Sequence, residues 1–137
     1  MFSARNLYWV LKAKSRACSL RAWQCVSPVS PADGNFEFEA AHGTVTRHYY
    51  KHLKGEKTST NPVATIFAWS GALKKRGELD GNAALVHFGQ ALEEATMETI
   101  TDGIVTGDLA ALMDPKPVPV TSEDFIGAIR ERLEKML

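Results

Sequence analysis

Ala40-Ala41-His42-Gly43-Thr44-Val45-Thr46-Arg47-His48-Tyr49 is the most informative stretch of the chain, and it runs on through Lys54-Gly55-Glu56-Lys57 to Thr58-Ser59-Thr60-Asn61-Pro62. Glycine, hydroxyls, basic side chains and an amide are concentrated there. Gly43 lets backbone amides approach a ligand closely. Thr44 and Thr46 supply hydroxyls. Arg47 and His48 set two cationic or protonatable groups side by side, and a guanidinium matches a phosphate in bidentate geometry. Thr44 or Thr46 can cap a short helix through Tyr49, Tyr50 and Leu53 that ends at Gly55. Asn61 before Pro62 is a second helix start, with proline at a position where no N–H is needed. If the chain folds back, the unpaired amides of that helix turn toward the same region. This chemistry suits an anion, and a phosphorylated nucleotide is a reasonable ligand. The spacing matches neither Gly-x-Gly-x-x-Gly nor Gly-Lys-Ser/Thr. Plainer roles stay open: caps for Thr44, Thr46 and Asn61, a core position for His42, and a surface charge for Arg47. His42 and His48 have no carboxylate or cysteine at metal-ligand spacing. Ser59 and Ser70 have no partner base evident in sequence.

Upstream, Asp33-Gly34-Asn35 is a turn signal, and Phe36-Glu37-Phe38-Glu39-Ala40 alternates with the period of a half-exposed strand. A lone strand leaves its backbone groups unpaired, so a sheet partner is expected elsewhere. Downstream, the spacing predicts a helix from Asn61 to Arg76 with Val63, Ile66, Phe67, Trp69, Ala72 and Leu73 apolar, closed by Lys74-Lys75-Arg76-Gly77. A second helix is predicted over residues 83–101, with Leu85, Phe88, Leu92, Ala95 and Met97 apolar and Glu93, Glu94 and Glu98 toward water. The prolines of Asp114-Pro115-Lys116-Pro117-Val118-Pro119 exclude a central helix or strand. Thr121-Ser122-Glu123-Asp124 starts a last helix whose inner stripe reads Phe125, Ile126, Ile129, Leu133 and Leu137.

The 137 residues carry a formal net charge of zero, with 45% hydrophobic and 23% charged residues, which is the make-up of a globular domain and gives no reason to expect a nucleic-acid partner. The balance hides an asymmetry. Residues 1–32 hold Arg5, Lys12, Lys14, Arg16 and Arg21 and no acid, so the 11 basic and 16 acidic residues that follow carry a net negative charge. Residues 1–32 therefore read as a basic extension, either an unrelated tail or a mitochondrial presequence. Ser27-Pro28-Val29-Ser30-Pro31 would be its linker. Cys18 and Cys25 both lie in that extension, which fits a reducing, cytoplasmic setting for the body, or a mitochondrial one if the extension is a presequence. No run approaches the ~18 apolar residues of a membrane span.

Glu39 to Tyr49 resembles the cofactor-loop signature of the NADP-dependent isocitrate dehydrogenases of the homodimeric, eukaryote-like type. The resemblance continues in Thr58-Ser59-Thr60-Asn61-Pro62-Val63-Ala64, in Ile66-Phe67-Ala68-Trp69, in Ala91-Leu92-Glu93-Glu94, in Glu98-Thr99-Ile100 and in Thr106-Gly107-Asp108-Leu109-Ala110. It covers residues 33–137 and implies the C-terminal part of the large domain of that enzyme. The fold expected is α/β, a C-terminal fragment of the isocitrate/isopropylmalate dehydrogenase-like fold, mostly helical with one or a few short strands. The family oxidatively decarboxylates isocitrate to 2-oxoglutarate, reducing NADP with Mg2+ or Mn2+, as a homodimer. By resemblance, Gly43, Thr44, Val45, Thr46, Arg47 and His48 wrap the adenosine end of NADP. Arg47 and His48 approach its 2′-phosphate, and Asn61 hydrogen-bonds the adenine. Gly107 departs from forms that carry lysine there. The resemblance also implies that substrate, metal and catalytic residues lie in a portion that residues 1–32 do not resemble. The expected chain alone is inactive, binds NADP as its partner, meets isocitrate only in a complete enzyme, and exposes helix faces that a sheet would cover. The other reading is a stand-alone NADP-binding or interaction module.

Overall fold

A computed structural model of the chain describes residues 29–30, 35–40 and 46–137. The turn at Asp33-Gly34, and His42 to Val45 of the cofactor loop, lie outside the described residues. β1 (Val29–Ser30) pairs antiparallel with β2 (Asn35–Phe36), Val29 opposite Phe36 and Ser30 opposite Asn35. The expected strand is therefore shorter than Phe36 to Ala40, and part of the supposed linker is its partner. The alternation holds only in part, since Phe36 is exposed. Phe38 lies against Gly71, while Glu37 and Glu39 are exposed. Lys75 holds its ammonium 4.6 Å from the centre of the Phe36 ring. Residues 36–38 are thus held by a helix rather than by further strands.

The helices follow in order: α1 (Thr46–Leu53), α2 (Val63–Asp80), α3 (Ala83–Thr101), the single turn α4 (Gly107–Ala110) and α5 (Ser122–Met136). α1 ends as expected at Gly55, where φ is +76°. Gly55 N–H donates to the His52 carbonyl and Glu56 N–H to the Lys51 carbonyl, the paired bonds that close a helix on a left-handed glycine.

α2 and α3 form the main packed pair, and α5 lies across α3. The α2 stop is one turn later than the sequence suggests. Lys74-Lys75-Arg76-Gly77 does not end the helix. Gly81, at φ +65°, does so, with Asn82 N–H on the Gly77 carbonyl and Gly81 N–H on that of Glu78. Asn82 then begins α3, its Oδ1 accepting from Leu85 N–H at 3.1 Å. Gly77 has a different function: a Cβ there would lie within 3.0 Å of Val86 Cγ2, Val86 N and the Asn82 carbonyl oxygen. Farther along, a Cβ on Gly89 would meet Lys74 Cγ and the Ser70 carbonyl oxygen. The two glycines let the α2 and α3 backbones close on each other.

Glu93 is not on a solvated face as expected. It is half-buried between α2 and α3, where its Oε1 accepts from Lys74 Nζ and from Ser70 Oγ, both at 2.6 Å. Glu94 and Glu98 are exposed. Thr96 and Thr99 are fully buried, and their hydroxyls donate to the Leu92 and Ala95 carbonyls of their own helix, so burial leaves no donor unpaired.

The core is Val63 of α2, Ala95 and Ile100 of α3, Val105, Leu109 and Ala110 of the following segment, and Phe125 and Ile129 of α5. Two expected core positions point outward. Ile126 is 49% exposed because the α5 stripe follows Phe125, Ile129 and Leu133 at helical spacing, and Leu137, past the last residue of α5, is 66% exposed. Trp69 is 64% exposed on α2, with Leu79 exposed on the same helix. No helix among the described residues is long and apolar enough to cross a membrane.

Candidate functional site

Of the residues expected to hold the cofactor, Gly43, Thr44 and Val45 lie outside the described residues, while Thr46, Arg47 and His48 form the first turn of α1. First-turn amides have no acceptor within their own helix, so this end is electropositive. Thr46 and Arg47 are exposed. His48 is half-buried, and its Nδ1 is a buried atom with no hydrogen-bond partner among the described residues. A polar atom in that state costs free energy unless a ligand or solvent group meets it. α1 buries none of its residues and packs extensively on no other described element.

Asn61 sits before α2. The sequence suggests that it caps the helix with Pro62 as first residue. Instead Pro62 takes the cap position, its carbonyl accepting from Ile66 N–H at 3.0 Å, and Asn61 makes an Asx turn, Oδ1 accepting from Val63 N–H at 2.9 Å. That bond uses the amide oxygen and leaves Nδ2 as the donor to offer a ligand. No hydrogen bond among the described residues links Asn61 to Arg47 or His48.

A residue the sequence reading used only as a helix start proves to fix the Asn61 segment. Ser122 Oγ accepts from Thr60 N–H at 3.0 Å and donates to the Thr60 carbonyl at 2.8 Å. Its single proton is committed there, so at the 3.3 Å contact with Ser59 Oγ it is Ser59 that donates. Ser122 lies one residue beyond the true cap, Thr121, whose Oγ1 accepts from Asp124 N–H at 3.1 Å. Local sequence around Ser122 shows only the capping pattern; nothing in it signals a contact 62 residues away. The neighbouring segment is tied in too. Val120 N–H donates to the Val105 carbonyl, and Thr106 Oγ1 donates to Asp108 Oδ1 at 2.6 Å.

Replacing Ser122 with alanine removes both bonds to Thr60. The expected result is a loss of about 1–2 kcal/mol of local stability, read as faster hydrogen exchange of the Thr60 amide with the rest of α5 unchanged. Unchanged protection at Thr60 would show that the tether does not hold this segment.

The carboxylates and imidazoles form no comparable centre. Among the described residues no group of three or more His, Cys, Asp or Glu is placed to hold a metal ion. Ser59 and Ser70, the two serines without an evident base, are occupied structurally by Ser122 and Glu93.

A model of the family described as isocitrate/isopropylmalate dehydrogenase matches residues 25–129. The chain belongs to that family. Over 110 residues it is 54% identical to the mitochondrial NADP isocitrate dehydrogenase of Saccharomyces cerevisiae, covering 78% of this chain and 26% of the relative. It is 48% identical over 110 residues to the cytoplasmic NADP enzyme of the same yeast, covering 78% and 27%. To isocitrate dehydrogenase [NADP] 1 of Mycobacterium tuberculosis it is 47% identical over 112 residues, covering 81% and 27%. The chain thus spans about a quarter of the length of these relatives. Its dominance of helices over two short strands is that of a fragment of the family's α/β fold. The match begins at residue 25, upstream of the composition change near Asp33 and including the β1 strand.

Proposed function

We propose that this chain supplies the NADP adenosine end of an isocitrate dehydrogenase and that, taken alone, it binds NADP without turning over isocitrate. In the enzyme, NADP accepts a hydride as isocitrate is oxidised and decarboxylated to 2-oxoglutarate. The observation that carries the reading is His48 Nδ1, buried and unpartnered among the described residues, in the residue that follows the exposed Arg47 at the electropositive start of α1. Those groups suit a phosphate. The cofactor set proposed is Gly43, Thr44, Val45, Thr46, Arg47, His48 and Asn61. Arg47 and His48 would meet the 2′-phosphate that distinguishes NADP from NAD, and the Asn61 amide would donate to the adenine. Ser122, through Thr60, would hold Asn61 in place. Residues 33–137 act as the cofactor-binding part, preceded by the basic extension of residues 1–32, whose end supplies β1. The described residues do not fit a divalent ion, so no step is drawn through one.

Two titrations test this. With NADP, calorimetry is expected to show saturable binding that Arg47→Ala weakens about tenfold or more, the loss of a charge-assisted contact to phosphate, while NAD binding changes little. With isocitrate and Mg2+ present, no absorbance of NADPH is expected to develop. Absence of NADP binding, or turnover by the purified chain, would each overturn its half of the proposal. The second reading, an interaction module with no nucleotide, is the one left standing if NADP fails to bind.

A further inference from the structure

α1 differs from α2 and α5 in how its charges are arranged. On α2, Lys75 pairs with Glu78 and Arg76 with Asp80; on α5, Arg130 pairs with Glu134. Each of these three basic groups has an acid one turn away. The α1 sequence Thr46-Arg47-His48-Tyr49-Tyr50-Lys51-His52-Leu53 contains no acid. Arg47 and Lys51 are four residues apart, and Lys54 follows three later at the helix end. At about 100° per residue these three fall within about 60° of arc, with Arg47 and Lys51 separated by about 6 Å at their Cβ atoms. Tyr49 and Leu53 take the opposite side, Tyr50 flanks the basic arc, and all three are exposed. Arg47, Lys51 and Lys54 are exposed, and none forms an ion pair among the described residues.

Two features argue against a merely solvated face. Like charges at four-residue spacing destabilise a helix, and Arg47 stands at the end where the helix dipole disfavours a cation. Lys51 in the last turn suits the dipole, but its neighbours on this face, Arg47 and Lys54, are both cations. A dianion between the two would remove the repulsion. We infer that Lys51 is a specificity-determining residue for the 2′-phosphate, which is clasped between the Arg47 guanidinium and the Lys51 ammonium. The inference rests on the NADP reading above and extends it one turn along α1. The phosphate then lies along the flank of α1 as well as at its first turn, and the negative charge of the ligand, not of a protein acid, completes the helix.

The experiment uses the full chain and two probes, adenosine 2′,5′-bisphosphate and adenosine 5′-monophosphate, which differ only by the 2′-phosphate. Binding is measured by calorimetry for the wild type, for Lys51→Gln and for the control Lys135→Gln on α5. Lys51→Gln is expected to weaken the bisphosphate about threefold to fivefold, the size of one exposed charge contact, and to leave the monophosphate unchanged. The preference of the wild type for the bisphosphate should also decline with added salt. If the wild type prefers the bisphosphate and Lys51→Gln behaves like Lys135→Gln, the role of Lys51 is overturned while the cofactor reading survives. If the wild type binds both probes equally or neither, the 2′-phosphate site itself is overturned, and the role of Lys51 with it.

Discussion

Valine in place of Gly77 is expected to cost about 3 kcal/mol, the upper end of the range for overpacking, and to push α2 off the start of α3. A Cβ at this position would sit 2.8 Å from Val86 Cγ2 and 2.9 Å from both Val86 N and the Asn82 carbonyl oxygen. Two of those atoms are backbone, so no rotamer change relieves the clash. They also belong to the turn that Gly77 itself closes, since its carbonyl accepts from Asn82 N–H at 2.8 Å. Helix propensity acts the other way: most residues are better than glycine mid-helix by up to about 1 kcal/mol, and valine gains less than alanine. The steric term therefore decides the sign. Gly81 provides the contrast. Nothing lies within 4 Å of a Cβ there, but φ is +65°, so Gly81→Ala should cost only the left-handed strain, roughly 1–2 kcal/mol. Urea denaturation followed by circular dichroism separates the two. A Gly77→Val variant no less stable than Gly81→Ala would mean that the close approach of α2 and α3 is not as described.

The same pair of glycines shows what was legible in the sequence and what was not. Lys74-Lys75-Arg76-Gly77 satisfies every local rule for a helix end, yet the helix continues, because Gly77 is required by a neighbour rather than by its own φ. Local reading sees dihedral preferences and periodicity, while close approach is set by a segment that follows only after the turn. Thr121 and Gly55 were readable because caps and left-handed stops are local. Glu93 was not. An acid on an amphipathic helix reads as solvated, and only the contact with Lys74 and Ser70 of the preceding helix turns it inward. In α5 the choice between Phe125 and Ile126 was beyond periodicity, since adjacent apolar residues both fit a broad stripe. At the site, the residue types of Thr46, Arg47, His48 and Asn61 suggest an anion-binding set from sequence alone, and the resemblance names the family to which the chain belongs. The Ser122 tether to Thr60 was hidden because its partners lie far apart in sequence.

That ambiguity in α5 sets up the other large effect. Phe125→Ala is expected to cost about 3–5 kcal/mol, whereas Ile126→Ala should cost less than about 1 kcal/mol. Phe125 is fully buried, whereas Ile126 is 49% exposed. Among the described residues Phe125 sits in a buried core with Val63, Ile100, Val105 and Leu109, drawn from three other segments, so removing the ring leaves a cavity where those segments meet. A domain holds roughly 5–15 kcal/mol in all, so the loss is a large share of the total. The effect also reaches the proposed cofactor site. Val63 accepts no substitute anchor: its backbone N–H donates to Asn61 Oδ1 and its side chain belongs to the same core. Ser122, three residues before Phe125, holds Thr60. Removing the ring should therefore raise hydrogen exchange in α3 and α5 and at Thr60 and Val63 together, and weaken NADP binding in step. Ile126→Ala should leave all of these near their original values. Equal exchange in the two variants would place Phe125 outside the core and break the proposed mechanical link between α5 and Asn61.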